Sequence, residues 1–461
     1  MLKRHILTVI LFILIVMFCV AEAFVIVDLK GKNDSMQESI AQLMDKTDSH
    51  ETTIERMRED ISGKENIRTP ELILPENIYV CTGMTMDIYN ANVCTNVDLD
   101  RYSFFWDCSI GDCMKDKFTV NPGEGEEGEH LLTLTVYDES MIEVASAQTR
   151  LNVVRDVFAY DTVSSAGLVT IGDSLSAGTE WESYTRARSL DKINHMGRGG
   201  DTEGLKFESI PGISPAEMYY GKLYGADAPN SFTNPDTGVF DWDYYVSSTG
   251  IFPDAVQVFL GMNGLDIDPN DNADAIFSIV DTIRKSDPSI PILLSLPLYH
   301  ADQDGMGLMP HKPGYDAMRG INAAERRLMI SNLNKEIIER AKAYENVTLV
   351  PTAMVFDTDK GFNQTVRAVN PHTEITDVYP DEGMHPGIAG YRQIGDEIYA
   401  AMCYLLESGK FRNITVPSPG SVSANDTGAG EVSADIDGEA ALDAEGGNGD
   451  AAQISAGADI E

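Results

Sequence analysis

The chain opens on an apolar run from Ile6 to Val20, preceded by Lys3, Arg4 and His5, which resumes after Ala21-Glu22-Ala23 through Phe24 to Val27. Counted through Val27 the run is about 22 residues, enough to cross roughly 30 Å of hydrocarbon. Ala21-Glu22-Ala23 also has the small-x-small form of a signal-peptide cleavage site. The basic flank keeps the N-terminus in the cytoplasm. A single-pass membrane anchor over residues 1–29 is the preferred reading and a cleaved secretion signal the alternative; on both, the rest of the chain is exported.

Periodicity then changes along the chain. Ser35-Met36-Gln37-Glu38 has the form of a capping box, and Met36, Ile40, Leu43, Thr47, His50, Ile54, Met57 and Ile61 follow at heptad spacing. Residues 33–63 are therefore expected to form a helical stalk, a spacer or a weak coiled coil through which copies of the chain associate. Over 71–156 the period is two. His130 to Asp138, Thr149 to Val154 and Tyr102 to Asp107 read as alternating strands, and short strands at such intervals imply a small β-sandwich. Phe105-Trp106-Asp107 with Leu132 to Asp138 resembles bacterial immunoglobulin-like or PKD-like surface modules.

Beyond residue 163 short apolar strands alternate with helical patterns. Leu168–Ile171, Ala255–Leu260, Pro291–Leu296 and Val347–Val350 are strands; Ala273–Lys285, Arg319–Tyr344 and Ile388–Leu406 are helices. This alternation predicts a three-layer α/β/α domain over 163–411, with a parallel sheet and any chemistry at the carboxyl ends of its strands. From 416 to 461 the chain is Gly/Ala/Ser/Asp-rich, and Pro417 to Glu461 contains no Lys or Arg. Such a tail buries too little apolar surface to fold alone.

Composition narrows the function. Lys and Arg number 34 against 73 Asp and Glu, a net charge of −39, and a chain that acidic does not hold nucleic acid by counterion release. Cys81, Cys94, Cys108 and Cys113 cluster in the β-module. In an exported protein two disulfides are expected, with Cys81–Cys94 and Cys108–Cys113 the pairing by proximity. A zinc site is the competing reading, but C-x12-C and C-x4-C lack a tight C-x2-C knuckle. Cys19 and Cys403 read as packed thiols.

The candidate chemistry begins where the Leu168–Ile171 strand ends in Gly172-Asp173-Ser174-Leu175. A serine handed from a strand to a helical turn sits among free backbone N–H groups, which favours a nucleophile that leaves an oxyanion beside it. His195 to Thr202 is a second glycine turn, able to aim a backbone N–H. Ala255–Leu260 ends in Gly261-Met262-Asn263-Gly264, whose amide is a further donor. Tyr379-Pro380-Asp381-Glu382-Gly383-Met384-His385 places carboxylates three and four residues before an imidazole.

These stretches, in this order, resemble the SGNH (GDSL-type) hydrolase superfamily, with a flavodoxin-like fold. The resemblance implies Ser174 as nucleophile, His385 as general base, an oxyanion hole of Gly197, Asn263 and the Ser174 N–H, and no metal or cofactor. The sequence departs from the family pattern twice. Gly264 stands where an aspartate usually follows Asn263, and the usual Asp-x-x-His is here Glu382-x-x-His385, with Asp381 one residue further back. Either carboxylate has the reach to orient the imidazole, and Asp381 is preferred.

Two segments read as insertions over the active edge. Tyr219 to Phe252 carries Tyr219, Tyr220, Tyr224, Phe232, Phe240, Trp242, Tyr244 and Tyr245, with Asp227, Asn230 and Asp243 among them. Leu298 to Tyr315 holds His300, Asp302, Asp304 and His311. Exposed aromatics there would stack on sugar rings or acyl chains; ordinary loop packing is the alternative. The expectation is a membrane-tethered extracellular serine esterase acting on small acyl esters, acetyl first, on glycans. O-acyl transfer to a surface polysaccharide, lysophospholipase activity and an adhesin with a degenerate hydrolase domain are the alternatives.

Overall fold

The computed structural model describes residues 69–200, 205–221, 230–265, 267–301, 322–411, 414 and 416. The expected anchor and stalk, residues 1–63, and nearly all of the acidic tail lie outside them. Among the described residues no helix is long and apolar enough to cross a membrane.

Seven strands build the first part: β1 (Asn77–Cys81), β2 (Met86–Tyr89), β3 (Ser103–Asp107), β4 (Asp112–Cys113), β5 (Lys117–Val120), β6 (Gly128–Tyr137) and β7 (Glu143–Val154). They form a sheet of order β1-β7-β6-β3 and a second of order β2-β5-β4. Alternation drives both. Leu132, Leu134 and Val136 on β6 and Phe118 and Val120 on β5 are buried, and Trp106 of β3 meets Phe118 with ring centres 6.0 Å apart. The Trp106 indole N–H is satisfied by Asn90 Oδ1 at 2.7 Å.

The expected disulfides do not form: Cys81, Cys94, Cys108 and Cys113 are all free thiols. Three of them meet other neighbours. Cys81, buried at the end of β1, bonds the Cys403 thiol on the last helix, and burial followed by that neighbour pushes its pKa well up. Cys94 contacts Asn96 Oδ1 at 3.7 Å, and Cys113 Sγ accepts the Trp106 N–H at 3.3 Å. We expect a thiol reagent on folded protein to modify exposed Cys113 first and Cys81 and Cys403 only after unfolding. Cys108 and Cys113 left unmodified in unfolded, unreduced protein would restore the disulfide reading.

The second part is a five-stranded parallel sheet. In chain order its strands are β8 (Ala166–Gly172), β9 (Ile193–Met196), β12 (Ala255–Phe259), β13 (Ile292–Ser295) and β14 (Val347–Val350), arranged β14-β13-β12-β8-β9. Every residue of β8, β12 and β13 is buried, as expected of strands covered on both faces. Counted from the first strand the order is 2-1-3-4-5, the flavodoxin-like order, with its switch point between β8 and β12. Right-handed crossovers then put Glu180–Arg188 on one face and Pro269–Ser286 and Ala323–Ala341 on the other.

Local signals set the helix limits. Asp268 caps Pro269–Ser286 through Asn270 N–H at 2.9 Å, five residues before the apolar periodicity begins at Ala273. Asn322 and Glu325 form a reciprocal capping box on Ala323–Ala341. Two further hairpins were not foreseen: β10 (Gly199–Gly200) with β11 (Lys206–Phe207), and β15 (Gln364–Ala368) with β16 (Thr376–Pro380).

The last helix, Ile388–Glu407, is buried on most sides over its second half because it is covered twice. It packs on the α/β layer against Glu180–Arg188 and, on its other side, against β1 and β7. Tyr79 and Tyr404 meet there at 4.6 Å, and the Tyr79 N–H donates to Glu397 Oε1 at 3.3 Å. The two parts also join through Asn92 Nδ2 to Phe356 O at 2.7 Å and Arg327 Nη1 to Ala91 O at 2.7 Å. One core runs through both.

Glu397 is buried in that seam, and burial raises its pKa to about 8. A carboxyl held above its unfolded value gives stability that is full below that value and lost as pH rises through the folded one. We therefore expect Tm to fall by several degrees between about pH 5 and pH 9, and Glu397→Gln to flatten the alkaline part of the fall. An unchanged Tm–pH profile in the variant would show that Glu397 is ionised in the fold at neutral pH.

Candidate active site

The site lies at the carboxyl ends of β8 and β12, on either side of the switch point. β8 stops at Gly172 because the chain turns there over Ser176 and Ser209, whose side chains would lie 2.9 Å from any Cβ. Asp173 then caps a single turn, Ser174–Ser176, by accepting the Leu175 N–H at 3.0 Å. Ser174 is left at its first position, partly exposed.

His385 comes from the far end of the domain. β15 and β16 carry the chain to Pro380, and the loop that follows is tied down at several points. Asp381 N–H donates to Asn363 O at 2.8 Å, Ala301 N–H to Gly383 O at 2.9 Å, and Gly387 N–H to Gly361 O at 2.8 Å. A Cβ on Gly387 would approach Asn363 to 2.7 Å, so the loop closes only with glycine there. In this frame Ser174 Oγ lies 2.8 Å from His385 Nε2, and His385 Nδ1 pairs with Glu382 Oε1.

Glu382, not Asp381, therefore holds the imidazole. The carboxylate of Asp381 turns back to Thr365 Oγ1 on β15. The hairpin decides the matter: Asp381 directly follows the strand end and stays in its plane, while Glu382 is already round the turn and faces the histidine.

Asn263 follows Gly261, whose φ of +125° only glycine takes easily. The Asn263 amide lies beside the buried Asp173 carboxyl, and Nδ2 is buried without a hydrogen bond of regular geometry. A buried amide next to the residue that precedes the nucleophile is a donor an oxyanion could use. Burial raises the Asp173 pKa to about 7, against the lowering effect of the Leu175 and Met262 N–H groups and the Asn263 amide. Gly197 directly follows β9, with Phe207 backbone atoms 2.3 to 2.8 Å from where a Cβ would stand. Any side chain would push this turn away from Phe207.

Other expectations resolve differently. Phe232, Phe240, Trp242 and Tyr245 are buried and stack on one another, Phe232 and Tyr245 at 4.4 Å, and Trp242 also lines a cavity with Val246, Phe252 and Ile290. Asn230 is buried and bonds Met218 O at 3.2 Å, and Asp243 accepts from Ser286. Tyr220 and Phe252 are exposed. Tyr224, Asp227, Asp201, Thr202, Asp302, Asp304 and His311 lie outside the described residues. His195 is a core imidazole, 2.9 Å from Thr185 Oγ1, and burial lowers its pKa to about 3. His300 is buried too, with its pKa lowered to about 3 by burial and then by Arg326 and His385. Among the described residues no group of three or more His, Cys, Asp and Glu is placed to hold a metal.

No family model matches the chain, and no curated protein matches it significantly. Among solved structures, a carbohydrate esterase family 3 protein from Talaromyces cellulolyticus is 15% identical, with 53% of this chain and 99% of that one covered and a TM-score of 0.34. A family 3 carbohydrate esterase of Clostridium thermocellum is 14% identical over 53% and 99%, at 0.33. A GDSL-like lipase of Bacteroides ovatus is 13% identical over 73% and 84%, at 0.29. Likeness at this level carries no argument about activity; the site's own geometry does.

Proposed function

We propose that this chain is a serine esterase of SGNH type. The observation that carries the proposal is the continuous relay Ser174–His385–Glu382. In this reading Ser174 Oγ attacks the ester carbonyl while His385 Nε2 takes its proton. Glu382 fixes the tautomer that leaves Nε2 free and stabilises the imidazolium through Nδ1–H. The tetrahedral oxyanion is met by the N–H groups of Ser174 and Gly197 and by Asn263 Nδ2. On collapse His385 returns the proton to the leaving alcohol, and a water, activated by the same imidazole, releases the acid.

The substrate we propose is a small acyl ester, acetyl first, on a carbohydrate outside the cell. Phe232, Phe240, Trp242 and Tyr245 of the 219–252 insertion are spent on their own core, which argues against a long acyl groove and so against a lysophospholipase. The apolar N-terminal run supplies the tether, and the stalk a weak contact between copies. A panel of acyl esters, run with and without glycan acceptors on wild type and Ser174→Ala, tests this. Free acid from short esters is expected; acyl groups appearing on the acceptor would make the enzyme a transferase. No turnover of any ester would end the reading.

A further inference from the structure

The oxyanion turn is built almost entirely of glycine: Gly197, Gly199 and Gly200 flank Arg198. Glycine gives a peptide plane little resistance to flipping, and a flipped plane would swing a carbonyl toward the place where an oxyanion must sit. Phe207 supports the turn from below, close under Gly197 and Gly199. Something must also fix the peptide between Gly197 and Arg198.

That group is Glu208, which sequence reasoning passed over because nothing local marks it. It is only 5% exposed. Its Oε1 accepts the Arg198 backbone N–H at 2.8 Å and the Tyr245 hydroxyl at 3.1 Å, and the Arg198 Nε lies 3.6 Å away. Its Oε2 accepts the Ser231 hydroxyl. Burial, then the Glu208 charge, raises the Tyr245 pKa. The segment carrying Glu208 is itself bonded to the nucleophile strand, Ile210 N–H to Gly172 O at 2.9 Å and Ser209 Oγ to Thr170 O at 3.4 Å.

We propose that Glu208 is a positioning residue for the oxyanion hole: it clasps the Arg198 N–H and so locks the Gly197 turn against the strand that presents Ser174. The aromatic insertion then has a purpose in catalysis without touching substrate, since Tyr245 and Ser231 hold the clasp from its far side. A buried carboxylate suits this work because it accepts several N–H and O–H donors at once and carries none of its own. This inference rests on the esterase reading for its kinetic consequences but not for its structural one.

The test compares Glu208→Ala, Glu208→Gln and Tyr245→Phe with wild type in kcat, KM and amide exchange at Arg198. Losing an oxyanion donor outright costs about 10²–10³ in kcat, and a loosened one less. We expect Glu208→Ala to lower kcat about 10- to 100-fold with KM within about twofold, and to speed exchange of the Arg198 amide. Glu208→Gln keeps an acceptor oxygen and should recover most of that loss; Tyr245→Phe should cost about threefold, since one anchor remains. Should Glu208→Ala not fold, the other two variants read the same property through Arg198 exchange. Unchanged kcat in folded Glu208→Ala, or equal loss in Glu208→Gln, would overturn the clasp. If wild type cleaves no ester, the esterase reading fails alone, and protection of the Arg198 amide in wild type, lost on substitution, still decides the clasp.

Discussion

Ser174→Ala is expected to lower turnover of p-nitrophenyl acetate by about 10³-fold or more while leaving Tm within a few degrees. The size follows from what the hydroxyl does. It forms and breaks the covalent bond to the acyl group, so its removal leaves only binding and the oxyanion donors to act on a water. The fold should be indifferent, because Ser174 Oγ bonds His385 Nε2 while the turn itself is held by Asp173 through the Leu175 N–H. Activity retained within tenfold would remove Ser174 as nucleophile and with it the acyl-enzyme.

The second large effect separates two neighbouring carboxylates. Glu382→Gln should cost about 10³–10⁴ in kcat, since an amide facing Nδ1 can hold the wrong tautomer and cannot stabilise the imidazolium. Asp381→Asn should cost less than about tenfold, because Asp381 faces Thr365 rather than the histidine. Its effect belongs to the hairpin and should appear as a lower Tm. The reverse ranking would mean that the loop rearranges during the reaction and Asp381 takes the imidazole. Equal and small effects would leave a Ser174–His385 dyad.

Much of this was legible in the chain. Runs of buried β-branched and aliphatic residues at strand length, spaced by amphipathic helices, were enough to name the parallel sheet. Glycine punctuation marked Ser174, Gly197 and Asn263 at strand ends, where a doubly wound sheet places its chemistry. Period-two alternation similarly announced β3, β6 and β7. These signals are local: each depends on neighbours within one or two turns of chain, which is what a sequence displays directly.

What stayed hidden depends on contacts between distant segments. The identity of the acid turned on how β15 and β16 deliver the chain to residue 381, and two adjacent carboxylates look alike until a hairpin points them apart. The cysteines appeared paired by proximity in sequence, yet Cys81 finds Cys403 on the last helix. The insertion's aromatics looked like a binding surface, but Phe232, Trp242 and Tyr245 bury one another, because stacking them removes more apolar area from water than leaving them at a cleft. Glu208 carried no motif at all. The sequence by itself determined which elements form and which residues can do chemistry; tertiary packing alone decided which of those residues meet, because a side chain's partner is set by the direction in which folded neighbours force it to point.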